Sequence, residues 1–188
     1  MAERSHLRIY CRSVADAVRS GMADQNVPLI LAAAEPLQSI YRSVNTYPHL
    51  VDEGIDGNPE NTSDAELAAR ARTILDELYA IQLAALHDLF ERRMTEGRAG
   101  TDVANVARAA TFGMVDTLFV DIDAVVPGFV DERGAVEFAE TDDAEAYSVI
   151  DEVARRVWNA NGRVLAVRRD DIPGGGDLAA ILRYPFQS

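Results

Sequence analysis

Apolar residues near the start of the chain recur at helical spacing. Between Leu7 and Arg19, the residues Leu7, Tyr10, Cys11, Val14 and Val18 fall on one stripe, and Gly21 follows as a stop. The run Pro28 to Ala33 (PLILAA) is short and continuously apolar, which predicts a buried strand. Glu35 to Val44 predicts a short helix. Tyr47 to Glu60, carrying Pro48, Gly54, Gly57 and Pro59, predicts loop. Ser63-Asp64-Ala65-Glu66 has the form of a capping box, in which the Ser63 hydroxyl and the Glu66 carboxylate satisfy two free N–H groups. A long periodic stretch from Leu67 to Phe90 follows, and Gly97 ends it. Its length predicts either a break near Tyr79 or a helix joining two lobes.

The pattern changes after Gly100. Thr101 is placed to cap a helix with Val103, Val106, Ala107 and Ala110 inward, closed by Gly113. Val115 to Ile122 (VDTLFVDI) predicts a buried strand. Val126 to Glu140 predicts strand pieces turned at Pro127-Gly128 and Arg133-Gly134. Asp142 or Asp143 is placed to cap a helix with Val149, Ile150, Val153 and Val157 as its stripe, stopping near Gly162. Arg163–Arg168 and Leu178–Tyr184 predict strands on either side of the Pro173-Gly174-Gly175-Gly176 loop. This order of elements predicts a compact layered α/β domain. The expected division is therefore residues 1–97 (helix, strand, long helix) and residues 98–188.

Composition narrows the function classes. At 188 residues, 48% hydrophobic and 26% charged, the chain has the make-up of a globular protein. One cysteine, Cys11, rules out an internal disulfide framework or a cysteine-rich zinc site. No apolar run is long enough for a membrane helix, and the N-terminus lacks a signal pattern, so no membrane association and a cytoplasmic location are expected. Acids outnumber bases 31 to 18, a net charge of −13, and every base is arginine. Phosphate contacts supply most non-specific nucleic-acid affinity, so weak or no direct nucleic-acid binding is expected and a protein partner is favoured. The local concentration to examine is Arg155, Arg156, Arg168 and Arg169. The lack of lysine removes P-loop and Schiff-base chemistry.

The sharpest catalytic pattern is Val120-Asp121-Ile122-Asp123-Ala124-Val125 at the end of an apolar strand. Two carboxylates at i and i+2 can share a divalent cation. The pattern resembles the first motif of haloacid-dehalogenase-type phosphotransferases, in which one aspartate is the nucleophile and the next an acid/base near Mg²⁺. Asp170-Asp171 could stand for that family's later acidic pair. The resemblance lacks the phosphate-binding lysine and falls late in a short chain. A strand leaving its sheet through polar residues is the better reading, and no cofactor is expected. Pro173–Gly176 could cradle an anion through its N–H groups, but it has no Gly-Lys-Ser/Thr ending and precedes a strand. Cys11 lies on an apolar stripe, as a small hydrophobe does. His49 and His87 have no ligand spacing.

Several stretches together resemble one family. Gly174 to Tyr184 (GGGDLAAILRY) resembles the glycine-rich turn and closing strand of the last domain in archaeal and eukaryotic class 1 release factors and Pelota. Val103 to Val120 resembles that domain's opening helix and strand, with the small-residue turn at Gly113. Asn161 to Val167 resembles its later helix-to-strand step at Gly162. Pro28 to Ala34 is similar to the central strand of the middle domain. Ile40 to Pro48 (IYRSVNTYP) resembles the signature of the bacterial archaeo-eukaryotic release factor family. The resemblance implies a partial middle α/β domain with long helices, then a compact three-layer α/β domain. It gives Asn45, Tyr47, Pro48, Gly113, Gly162, Arg183 and Tyr184 as motif positions with structural roles. The Gly-Gly-Gln loop on which peptidyl-tRNA hydrolysis depends in the parent family is absent, so a non-catalytic, truncated relative is expected, with a family member whose role lies outside translation as the alternative. Its implied partners are a translational GTPase or, through missing domains, the ribosome. A truncated middle domain leaves a strand edge bare, so a homodimer is also expected.

Overall fold

The computed structural model describes residues 2–23, 25–139 and 147–185, the side chains of Ala2, Glu3 and Tyr147 aside. The chain forms two compact units, Met1–Ala80 and Ile81–Ser188. This division falls earlier than the Gly97–Gly100 stretch, inside a helix.

In the first unit, α1 (Ala2–Gly21) buries Cys11 and Ala15 against Tyr41 and Val44 of α2 (Leu37–Val44), with Val14, Leu31, Leu37, Ile40 and Leu50 around them. Tyr10, expected on the inward stripe, is 63% exposed. The expected buried strand at Pro28–Ala33 is a correction. Only Ala32–Ala33 forms a strand (β1), parallel to β2 (Ile55–Asp56), and the segment Leu29–Ala33 is half-buried. Its bonds run to one side: Leu29 N–H to the His49 carbonyl, Val51 N–H to that of Leu29, and Ile55 N–H to that of Leu31. The physical reason is that, among the described residues, β2 is the one strand paired with β1, so the other edge of β1 has no ladder partner.

The capping box is half realised. Ser63 Oγ accepts the Glu66 N–H at 3.3 Å, but the Glu66 carboxylate accepts from Arg70 at 2.7 Å instead of turning back. Beyond it α3 (Asp64–Thr95) runs without a break at Tyr79. Leu83, Leu86, Leu89 and Phe90 near its end pack within the second unit.

The second unit is built on a four-stranded sheet ordered β3 (Ala99–Gly100), β9 (Leu178–Leu182), β4 (Val115–Asp121), β8 (Arg163–Val167). β4 and β8 are parallel; β9 runs antiparallel to β4 and β3. One face of the sheet, with Val115, Leu118, Val120, Leu178, Ala180 and Leu182, is covered by α4 (Val103–Thr111) and α5 (Val149–Asn159). The other face, with Phe119, Val167, Ala179 and Ile181, is covered by the end of α3. Three layers result, because every strand of this sheet's centre is apolar on both faces. Val115 and Leu118 share a face despite their odd spacing, because a bulge shifts the register between Val115 and Thr117.

Between β4 and α5 lies a small antiparallel sheet, ordered β6 (Val136–Phe138), β5 (Pro127–Val130), β7 (Tyr147–Ser148). Pro127-Gly128, expected as a turn, lies in β5. The turn is at Asp131–Ala135, where Asp131 Oδ1 accepts the N–H groups of Arg133 and Ala135, each at 2.8 Å. Asp102, not Thr101, caps α4: its carboxylate accepts the Asn105 N–H at 2.8 Å. The expected caps Asp142 and Asp143 lie outside the described residues and are not the caps: α5 begins at Val149, directly after β7, with Ser148 at the N-cap position. Among the described residues no helix is long and apolar enough to cross a membrane.

Candidate functional site

Asp121 and Asp123 sit where β4 leaves the sheet. Asp121 is 7% exposed, and its Oδ1 accepts the Asp123 N–H at 3.1 Å, while its own N–H donates to the Asp177 carbonyl and its carbonyl accepts from Ala124 N–H. The first carboxylate therefore closes a turn, and the Asp123 side chain is exposed. Asp170 and Asp171 lie in a single 3-10 turn, where the Asp171 backbone carbonyl accepts from His87 Nε2 at 2.7 Å. No cluster of three or more His, Cys, Asp or Glu suited to a metal ion occurs among the described residues. Cys11 is 2% exposed, and burial pushes its thiol up from the ordinary cysteine range, which disfavours the nucleophilic thiolate.

The motif positions form two structural assemblies. In the first unit the Asn45 side chain donates to the Tyr47 carbonyl at 2.8 Å, and its Oδ1 accepts the Tyr47 N–H at 3.2 Å. This turn carries the ring of Tyr47 inward, where its hydroxyl lies 2.8 Å from the Gln25 carbonyl and 2.7 Å from that of Val27. The ring edge also meets His49, whose Nε2 lies 3.2 Å from Asn26 Oδ1. Pro48 follows directly, at the start of the loop that pairs with Leu29. The motif thus fixes the segment leading into β1.

In the second unit Arg183 gathers two helix ends. Its guanidinium donates to the carbonyls of Gly113, Ala160 and Asn161, each at 3.1 Å, and its N–H donates to the Met114 carbonyl at 2.8 Å. These carbonyls end α4 and α5, so a cation satisfies free acceptors at the negative ends of two helix dipoles. Each helix stops through one left-handed residue, Gly113 (φ 66°) for α4 and Asn161 (φ 57°) for α5. Gly162 is required for another reason: a Cβ there would stand 2.5 Å from Val157 Cγ1 and 2.9 Å from the Val115 carbonyl oxygen. Tyr184 follows Arg183, and its ring is 65% exposed, as are Phe112 (64%) and Trp158 (71%).

Among the arginines singled out in sequence, Arg155 and Arg156 both bind Glu152, at 2.7 and 2.6 Å, and Arg169 binds Asp177 at 2.8 Å. Arg168 is left exposed. Arg156 also donates to Thr111 Oγ1 and the carbonyls of Asp131 and Val130, so it ties α4, α5 and the β5–β6 turn together. Hydrogen bonding from Arg155, then from Arg156, holds the Glu152 carboxyl down at about 2 against the opposing effect of burial. The helical spacing of Glu152 with its two arginines is visible in the sequence, but the links from Arg156 to Thr111, Val130 and Asp131 are not, because they span 25 to 45 residues.

Two cavities lie in the first unit. One, about 670 Å³, runs beside Leu29–Ala34 and is walled by apolar groups including Tyr10, Val14, Leu37 and Tyr41. The other, about 440 Å³, has a mixed lining: Arg4, Ser5, Arg8, Glu35, Ser39 and Ser43 with Pro36 and Ile40.

Mixed helices and sheets in this arrangement are similar to those of Pelota and Dom34. A model of ribosome-bound archaeal Pelota and ABCE1 aligns with a TM-score of 0.62 at 19% identity, covering 95% of this chain and 49% of that one. Dom34 of S. cerevisiae, described as a translation termination-like factor involved in RNA quality control pathways and interacting with Hbs1, aligns with a TM-score of 0.59 at 14% identity, covering 93% of this chain and 52% of that one. At such identities the likeness is one of fold, and this chain spans about half the length of both structures. Residues 1–81 match the model of bacterial archaeo-eukaryotic release factor family 11, which shows the resemblance carried by Ile40–Pro48. No curated protein sequence matches the chain.

Proposed function

We propose that this chain is a non-catalytic, protein-contacting portion of a release-factor-like or ribosome-rescue protein, acting with a translational GTPase or the ribosome. The observation that carries this reading is the fold likeness over nearly the whole chain to Pelota on the ribosome and to Dom34, a protein that interacts with Hbs1. The local chemistry supports it. The Asp121 carboxylate is engaged in a turn, and the motif arginine Arg183 serves two helix ends, while Phe112, Trp158 and Tyr184 stand exposed as interface aromatics do. The test is co-sedimentation of the full chain with bacterial ribosomes stalled on a truncated message, with and without a translational GTPase held by a non-hydrolysable GTP analogue. Pelleting above a no-ribosome control is the expected result. Failure to pellet, together with no GTPase contact by calorimetry, sinks the proposal.

Two further parts of the reading rest on charge and on the bare strand edge. The net charge of −13 keeps binding of the chain to generic RNA weak at physiological salt. The uncovered edge of β1 and the apolar cavity beside it are covered by a second copy of the chain through a two-fold axis.

A further inference from the structure

We propose that α1 carries a docking site for the phosphodiester backbone of a single RNA strand, formed by Arg4, Arg8 and Arg12. The three arginines recur every fourth residue, so they occupy one side of α1 on successive turns. Each step rises about 6 Å along the axis. All three are exposed. Acids are in large excess in this chain, yet none of these guanidiniums has an ion-pair or hydrogen-bond partner among the described residues. By contrast Arg70, Arg93, Arg155, Arg156 and Arg169 each hold a carboxylate.

The setting favours an anion. Arg4 and Arg8 line the cavity of about 440 Å³ from α1, and Ser39, Ile40 and Ser43 line it from α2. The carboxylate that lines it, Glu35, is already engaged by Ser39, through Oγ at 2.6 Å and the backbone N–H at 3.4 Å. The Ser43 hydroxyl donates to the Ile40 carbonyl at 2.6 Å. Donors for a ligand therefore come from the arginines. A guanidinium binds phosphate through paired N–H groups. A nucleic-acid strand presents its phosphates at regular intervals, as this helix presents its arginines, whereas the carboxylates of a protein surface have no fixed period.

This site goes beyond the protein-contacting role and agrees with weak binding to generic RNA. Three local contacts on a molecule of net charge −13 give little affinity alone. They count when other contacts already hold the chain near the strand, which raises the effective concentration.

The experiment is fluorescence anisotropy of a labelled single-stranded oligoribonucleotide with the full chain, across a salt series starting at low ionic strength. Three engaged phosphates give a log–log slope of about −2. The variant Arg4→Gln/Arg8→Gln/Arg12→Gln is expected to flatten that slope and to weaken binding about tenfold at the lowest salt. Circular dichroism checks its fold, and the single Arg8→Gln change, at an exposed position, lowers the slope by about 0.7. The control Arg133→Gln/Arg163→Gln/Arg168→Gln, at exposed arginines of the second unit, leaves both readouts unchanged. The proposal is overturned by no binding at low salt, by a slope that survives in the α1 variant, or by poly-glutamate displacing the RNA at equal charge concentration.

Discussion

At the scale of single residues, the motif positions act on backbone geometry. Gly162 tolerates no side chain because Val115 is fully buried behind it and cannot retreat. Gly162→Ala should cost about 1–3 kcal/mol, seen as a lowered urea midpoint; an unchanged midpoint would show that β4 can move. Glu152 gives a pH signature. Its folded pKa of about 2 lies below the ordinary glutamate value of 4.5, so its contribution is complete above pH 4.5 and is lost as the pH falls toward 2. Glu152→Gln should therefore lower stability at neutral pH, and the gap to the parent chain should close between pH 4.5 and 2 in acid titrations of unfolding. A gap that stays constant through that window would contradict the ion-pair account. Asp121 supplies a chemical prediction: with its Oδ1 on the Asp123 N–H, the chain with Mg²⁺ should turn over no generic phosphoester. Turnover that disappears in Asp121→Asn would establish the phosphotransferase reading.

At the scale of elements, capping and register decide where segments start and stop. Two adjacent polar residues compete for the start of α4, and the carboxylate of Asp102 takes the role. Asp102→Ala should cost about 1 kcal/mol, and Thr101→Ala much less, in paired denaturant melts. Equal losses would return the cap to Thr101. The long helix α3 shows how one element serves two cores. Ile74 is buried in the first unit, whereas Leu83, Leu86, Leu89 and Phe90 pack on the far face of the second unit's sheet. An uninterrupted helix needs no internal cap, so its sequence carries no mark of where one unit ends.

At the scale of the whole molecule, the first unit has an edge of β1 without a paired strand among the described residues, beside an apolar cavity. Among the described residues the Ile30 N–H takes part in no backbone bond, so Ile30→Pro removes an edge donor at little cost to the folded monomer. If two copies pair through this edge, light scattering at micromolar concentration should show a dimer for the parent chain and a monomer for Ile30→Pro. A monomeric parent chain, or a dimer indifferent to the substitution, removes the two-fold pairing. The charge distribution belongs to this scale too, because most acids lie outside α1, whose sequence holds four arginines, Arg4, Arg8, Arg12 and Arg19, and two acids, Glu3 and Asp16.

The sequence by itself determined the parts set by local periodicity and backbone chemistry. α1, α2, α4, α5 and the central strands β4, β8 and β9 follow from runs and stripes longer than any competing pattern, and Gly113 announces the end of α4. The residue stretches within those elements, taken together in their order and spacing, carry the resemblance to the release-factor family. Only the tertiary structure decided what depends on distant neighbours. It shortened the Pro28–Ala33 strand because that segment pairs on one edge alone. β3 escaped notice because a two-residue strand has no period of its own and exists by pairing with β9. Arg183 could be recognised as a motif residue, but its three carbonyl partners come from turns brought together by the packing of α4 and α5. Charge divides in the same way: the spacing of Glu152 with Arg155 and Arg156 already pairs them on α5, whereas only the fold brings Arg156 to Thr111 and to the carbonyls of Val130 and Asp131.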